Sequence, residues 1–260
     1  MKQHQTCSGC RDDVPLGFDF EMAFQPIVDM AGQRVWGHEA LVRGPNGEPA
    51  AGILANVTDE TRYRFDQACR VKAIETAGRL FDDESLRLSI NFMPNAVYEP
   101  AACIRTSLAA ARRVGFSVNR IMFEFTEDER VRDAVQIERI ISEYRKLGFM
   151  TALDDFGAGY AGLKLLSDYQ PDLIKIDMAL LRGIDTSQAR QAIVAGIAGI
   201  ARALDIEVIA EGVETEAELS VLRATGIRLF QGYLFARPSF QALPPVPMLT
   251  TGSISVAGVA

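Results

Sequence analysis

Short apolar segments alternate with longer stretches of helical periodicity along this chain, and that alternation restricts the fold more than any other feature. Met22 to Met30, Arg34 to Val42, Leu86 to Phe92, Arg120 to Thr126, Phe149 to Asp155, Leu173 to Asp177, Glu207 to Ala210 and Arg228 to Tyr233 read as strands. Arg62 to Leu80, Ala101 to Val114, Glu129 to Lys146, Tyr160 to Tyr169, Gln188 to Leu204 and Glu216 to Thr225 read as helices. Gly115, Gly148 and Gly226 stand where helix C-caps belong, and Pro171 stops the helix before Asp172. Repeated βα units within 260 residues, 48% of them apolar, predict an α/β fold closed into a (β/α)8 barrel. A doubly wound open sheet is the alternative. Only Ala31-Gly32-Gln33 separates the first two strands, so one strand should run against the others.

Polar residues fall at the ends of these strands. The second carries Glu39, the third ends at Asn91, and the fourth carries Glu124 with Glu127 just beyond. The fifth ends in Asp154-Asp155, the sixth holds Lys175 and Asp177, the seventh runs into Glu211 and Glu214, and the eighth holds Gln231. In a barrel the C-terminal strand ends share one face. One such carboxylate is explained as a helix N-cap. This many converging anions require cations, and hard oxygen donors select magnesium, manganese or calcium.

Other chemistries fit poorly. Gly157, Gly159 and Gly162 match the dinucleotide pattern G-x-G-x-x-G, and Asp177 lies near the spacing of a ribose-binding acid. Yet Asp154 and Asp155 directly precede those glycines, where a pyrophosphate needs N–H dipoles. Histidine-based zinc chemistry has only His4 and His38 to draw on, and His38 points away from Glu39 on the same strand. No G-x-S-x-G or Walker A motif occurs. The net charge of −7, without a basic block, excludes a backbone-tracking nucleic-acid surface. The N-terminus has no apolar signal region, and no run approaches the ~18 apolar residues of a membrane helix, so a cytoplasmic protein is expected. Cys69 and Cys103 read as packed thiols; Cys7 and Cys10, with His4 as a third ligand, would make half of a zinc site, but no second C-x-x-C or H-x-x-x-H completes it, and two exposed thiols in a short tail are the simpler reading.

At Glu39-Ala40-Leu41 these features acquire a relative. The chain resembles the EAL-domain cyclic di-GMP phosphodiesterases, from about Phe24 to Pro238. The resemblance runs through FQPIV (24–28), HEALVR (38–43), SINFMP (89–94), FEFTE (123–127), LDDFGAGYAGL (153–163), IKID (174–177), IAEGVE (209–214) and FQGYLFARP (230–238). It implies a TIM-like barrel with one antiparallel strand. It implies that Glu39, Asn91, Glu124 and Asp154 hold one Mg²⁺ or Mn²⁺, and Asp154, Asp155 and Glu211 a second. Lys175 corresponds to a residue contacting the attacking water, so Glu39, Lys175 and Glu211 are the catalytic candidates. Gln231 would bond within the metal–water cluster. Gln25, Leu41, Arg43, Asp177 and Glu214 are substrate-side candidates, and Glu127 corresponds to an anchor of the loop after Asp155. The implied reaction opens cyclic di-GMP to linear 5′-pGpG, in second-messenger signalling linked to biofilm and motility. A homodimer is implied as well. A catalytically silent receptor or interaction module is the alternative reading. Where the commoner family loop is D-D-F-G-T-G-Y-S-S-L, this chain has Ala158 and Ala161-Gly162. The expected organisation is a tail (1–18), the barrel (19–243) and a C-terminal extension (244–260).

Overall fold

A computed structural model describes residues 16–94, 97, 99–126, 134–159 and 162–250. Among the described residues nine strands form one sheet: β1 (Glu21–Asp29), β2 (Arg34–Arg43), β3 (Arg87–Asn91), β4 (Ile121–Thr126), β5 (Met150–Phe156), β6 (Leu173–Ile176), β7 (Glu207–Ala210), β8 (Leu229–Phe230) and β9 (Ser239–Phe240). β2 through β8 follow one another in parallel, and β1 closes the barrel by pairing antiparallel with both β2 and β8. The closed barrel and its single reversed strand match the sequence expectation; the open sheet is excluded. The reversal follows from the short link after β1, which leaves no room for a crossover.

Around the barrel run α1 (Ala50–Leu54), α2 (Arg62–Leu80), α3 (Pro100–Cys103), α4 (Arg105–Val114), α5 (Ala134–Lys146), α6 (Gly162–Asp168), α7 (Met178–Leu181), α8 (Gln188–Ala203), α9 (Glu216–Ala224) and α10 (Pro247–Thr250). α2 occupies the span its periodicity predicts. The stretch expected as one helix at 101–114 is instead α3 and α4, parted at Ile104. Gly115 caps α4 with φ 68°, and Gly148 and Gly226 also take positive φ, as expected of C-caps. Among the described residues no helix is long and apolar enough to cross a membrane.

The eighth strand is shorter than its apolar run predicts, because the chain turns away after Phe230. At Gly232 an added Cβ would lie 2.1 Å from the Val213 carbonyl oxygen, so only glycine permits this approach. The departure exposes the edge of β1, and β9 returns to cover it at Ala23 and Phe24.

Strand alternation divides the core in two. Phe123, Phe125, Leu153, Ile174, Ile176 and Phe230 face outward, in one cluster with Ala73, Ile140, Tyr144 and Leu222 of the helices. Ile27, Trp36, Met122, Ala152, Leu173, Ile209 and Leu229, drawn from seven strands, meet inside the barrel and plug its lower half. Trp36 and Glu39 share the interior although three residues apart, because a bulge opposite Ile27 and Val28 leaves Trp36 unmatched. His38 faces outward, buried against Phe81 at 5.3 Å, and burial pushes its pKa down to about 4. Cys69 and Cys103 are buried and unbridged; Cys7, Cys10 and Glu127 lie outside the described residues.

Candidate active site

Two residues beyond the apolar interior position on each of β4 to β8 comes a polar one. Met122 is followed by Glu124, Ala152 by Asp154, Leu173 by Lys175, Ile209 by Glu211 and Leu229 by Gln231. The two-residue period puts both members of each pair on the inner face, one above the other. On reversed β1 the order inverts, so Gln25 precedes Ile27. The apolar plug thus carries a polar layer, and that layer borders a cavity of about 310 Å³ lined by Gln25, Glu39, Asp154, Lys175, Glu211 and Gln231, among others.

Lys175 stands at the centre, with its side chain 1% exposed. Its Nζ lies 2.7 Å from Glu211 Oε1, 2.8 Å from Glu124 Oε2, 3.1 Å from Asp154 Oδ1 and 3.5 Å from Glu39 Oε2. Burial opposes the ammonium charge, but the four carboxylates outweigh it and hold the lysine pKa well above its ordinary value. Glu124 and Glu211 are pushed toward their neutral forms. Burial is the largest cause at Glu124, only partly offset by Lys175, and the neighbouring acids add repulsion, bringing its pKa up to about 8. Glu211 is raised for the same reasons.

Amides and a hydroxyl fix the carboxylates. Glu39 accepts from Asn91 Nδ2 at 2.7 Å and from Gln231 Nε2 at 2.7 Å. Gln231 also reaches Gln25 Oε1 at 3.2 Å, and its own Oε1 is buried without a protein partner. Ser89 Oγ donates to Glu124 Oε1. Sequence reasoning passed over Ser89, although it sits two residues before Asn91 on the same face and the period points to it.

Asp154 and Asp155 are adjacent in sequence, and a regular strand would send them to opposite faces. The structure breaks the alternation: pairing with β6 skips between Leu153 and Phe156, and Asp155 takes φ 53°, a left-handed conformation that aspartate tolerates. Asp154, Asp155 and Glu211 therefore bring ligand oxygens within 4.8 Å of one another. Glu39 and Glu124, which the resemblance groups with Asn91 and Asp154, are gathered around Lys175 instead, with Asn91 attached through Glu39. With all five carboxylates ionised, one ammonium leaves a formal charge of −4, and two divalent cations would cancel it. The donors are all hard oxygens, so the residues fit such ions.

The outer residues are more dispersed. Asp177 lines the cavity but also caps α7, its Oδ1 accepting from Ala179 N at 2.8 Å. Glu214 lines it too, paired with Arg182 at 2.7 Å. Glu218 braces that rim by accepting from the N–H groups of Gly183, Glu214 and Thr215; burial pushes its pKa up, but these bonds prevail and the net shift is downward. Leu41 and Asn91 line an adjoining, mostly apolar cavity of about 630 Å³ with Phe92 and Met93. Arg43 ends β2, its Nη1 donating to the Val42 carbonyl at 2.7 Å.

A barrel with one reversed strand, holding acids from four strands around a buried lysine on a fifth, has close counterparts among known proteins. The EAL domain family model matches residues 14–238, and the chain belongs to that family. It is 33% identical over 86% of its length to the blue light- and temperature-regulated antirepressor BluF of Escherichia coli, and 31% identical over 84% to the cyclic di-GMP phosphodiesterase PA2567 of Pseudomonas aeruginosa. It spans 55% and 38% of those two proteins. Among solved structures, a standalone versatile EAL protein from Vibrio cholerae in its c-di-GMP-bound form superposes with a TM-score of 0.87 at 51% identity, covering 91% of this chain and 99% of that one. Klebsiella pneumoniae BlrP1 in a manganese/cyclic di-GMP complex gives 0.81 at 38% identity, covering 88% and 58%.

Proposed function

We propose that this protein is a metal-dependent phosphodiesterase that hydrolyses cyclic di-GMP to linear 5′-pGpG. The observation that carries this reading is the convergence of Asp154, Asp155 and Glu211 beside Lys175, Glu124 and Glu39. The c-di-GMP-bound Vibrio cholerae structure at 51% identity supports the substrate. Glu39, Asn91, Glu124 and Asp154 would hold one Mg²⁺ or Mn²⁺, and Asp154, Asp155 and Glu211 the other. Such a pair supplies an acidified water and neutralisation of the diester charge.

The chain's own groups do the positioning. Lys175, in contact with four carboxylates, anchors the cluster electrostatically. Asn91 and Gln231 fix the orientation of Glu39, and the free Gln231 Oε1 offers an acceptor to a water. Gln25, Leu41, Arg43, Asp177 and Glu214 contact the nucleotide, and the role of loop anchor that the resemblance implies for Glu127 is kept as part of the proposal. In the hydrolysis a water oxygen bonds to phosphorus, the bond to the ribose 3′-oxygen breaks, and that oxygen leaves with a proton.

The reading extends to a cytoplasmic homodimer acting in second-messenger control of biofilm and motility, with no nucleic-acid or membrane partner. The proposed organisation is an N-terminal tail (1–18), the barrel (19–243) and an extension (244–260). Incubation with cyclic di-GMP and Mn²⁺ or Mg²⁺, with products separated by chromatography, should yield pGpG, and chelator or Glu39→Ala should abolish it. Binding without conversion in either metal would instead support a silent receptor, the reading favoured by the likeness to the antirepressor BluF.

A further inference from the structure

Strands and helices meet through apolar side chains over most of this barrel, and behind Asn91 a charged pair interrupts them. Asp66 and Arg70, one turn apart on α2, are 3% and 0% exposed, with Arg70 Nη2 2.6 Å from Asp66 Oδ2. Arg70 Nη1 donates to the Tyr144 hydroxyl of α5 at 2.8 Å. The guanidinium carbon lies 5.1 Å from the ring centroid of Phe92 and 5.3 Å from that of Phe123, over both rings. Asp66 Oδ1 accepts from the Met93 N–H at 2.9 Å. None of these groups lines the acidic cavity.

A buried ion pair is a poor source of stability, since apolar side chains of the same volume do as well or better. What charge-assisted bonds and a flat guanidinium supply is direction. Here the directed contacts end on the two residues that follow Asn91: the ring of Phe92 and the N–H of Met93. Phe92 N also donates to Glu124 O at 2.9 Å, so this short segment is held from α2 and from β4 at once. Asn91 needs such support. It is the exposed end of β3, after three buried residues, and its side chain donates to Glu39 at 2.7 Å. We infer that Asp66 and Arg70 are positioning residues: the buried pair fixes the backbone just after β3 and thereby aims the Asn91 amide at Glu39 and at the metal position beside it. The metal rests on the phosphodiesterase reading; the clamp itself rests on the geometry between α2 and β3.

The test uses the full chain, with Mn²⁺ binding to metal-free protein followed by calorimetry and stability by denaturant unfolding. Arg70→Lys keeps a charge beside Asp66 but cannot also reach Tyr144 and lie flat on two rings. It is expected to weaken Mn²⁺ affinity by about 10–100-fold, the usual range when a residue that orients a metal ligand is changed. Leu222→Ala, which opens the outer core at α9, should lose stability yet keep Mn²⁺ affinity within about twofold. Because the pair acts through Asn91, Arg70→Lys should add less than about twofold to the loss that Asn91→Ala causes alone, whereas a role confined to stability would leave the two losses additive. Where Arg70→Lys does not fold, Tyr144→Phe decides in its place: it removes one hydroxyl and should cost about twofold to tenfold in Mn²⁺ affinity, the worth of one hydrogen bond, and only while Asn91 is present. The inference is overturned if the deciding variant binds Mn²⁺ as the wild type does, if Leu222→Ala loses as much affinity, or if the loss persists in full beside Asn91→Ala. A wild type that binds no Mn²⁺ would remove the phosphodiesterase reading and this inference with it. Mn²⁺ binding and cyclic di-GMP turnover that ignore Arg70 and Tyr144 would remove this inference alone.

Discussion

The lower and upper halves of the barrel interior are built from the same strands, two residues apart, and they do opposite work. Below, Ile27, Trp36, Met122, Ala152, Leu173, Ile209 and Leu229 are buried against one another. Each fully buried side chain of leucine size contributes about 1.5–3 kcal/mol. Above, Glu39, Glu124, Asp154 and Glu211 crowd around a single ammonium, and burial and the neighbouring acids both oppose the charges of Glu124 and Glu211. The lower half stabilises a shape, and the upper half is held in that shape against its own preference. A barrel lets one strand supply both because neighbours on a face differ only by their height along the axis.

Asp154→Ala should widen the contrast most. It removes the oxygen donor common to both proposed ion positions, so turnover of cyclic di-GMP should fall by more than the ~10–100-fold typical of residues that only support a metal ligand. Thermal unfolding without metal should not weaken, since one of several repelling charges is gone. Product chromatography and calorimetry check the two halves of that statement. Leu173→Ala, directly below Lys175, should behave inversely. A loss of about 2–5 kcal/mol in denaturant unfolding is expected, with turnover per folded molecule largely kept. Turnover lost in proportion to stability would mean that the two halves are not separable.

Ser89→Ala probes the boundary between them. It removes the hydroxyl that orients Glu124, and metal affinity should drop by about 10–100-fold in a Mn²⁺ titration. The smallest expected effect is a pH trend. A carboxylate whose folded pKa lies above its unfolded one contributes stability that is lost as pH rises through the folded value. Glu124 and Glu211 therefore make metal-free protein less stable as pH climbs from 6.5 to 8. His38, lowered to about 4, acts in the opposite direction but only below its unfolded value of 6.5. Melting temperatures without metal should decline across that window, and saturating Mn²⁺ should flatten the decline. A flat metal-free profile would mean that the acids do not resist ionisation as the geometry requires.

Much of this arrangement was legible before any coordinates, because it follows from period and spacing. The apolar pattern marked α2 at its observed bounds, and the three-residue link after β1 required the reversal. The acids following the strands converge because parallel barrel strands end on one face. What escaped depends on contacts between distant residues. Nothing in Phe230 to Tyr233 announces that Gly232 must fit against Val213, so the truncation of β8 and the return of β9 were missed. Side by side, Asp154 and Asp155 look like alternating residues, and only the left-handed turn at Asp155 lets both serve one cavity. Arg182 and Glu218 organise the rim through loops that meet only once the barrel has closed.

The reversal of β1 also decides where the chain enters. Glu21 pairs with Arg43, at the end of β2 beyond Glu39, so the polypeptide comes in at the mouth of the acidic cavity and runs down toward the plug. In an all-parallel barrel it would enter at the far floor. Ahead of the strand, Phe18 and Phe20 pack on Phe65 of α2, which lines the cavity adjoining the acidic one. The first described residues thus sit beside the ligand-facing end of the barrel, and a shift there reaches the mouth without crossing the barrel wall.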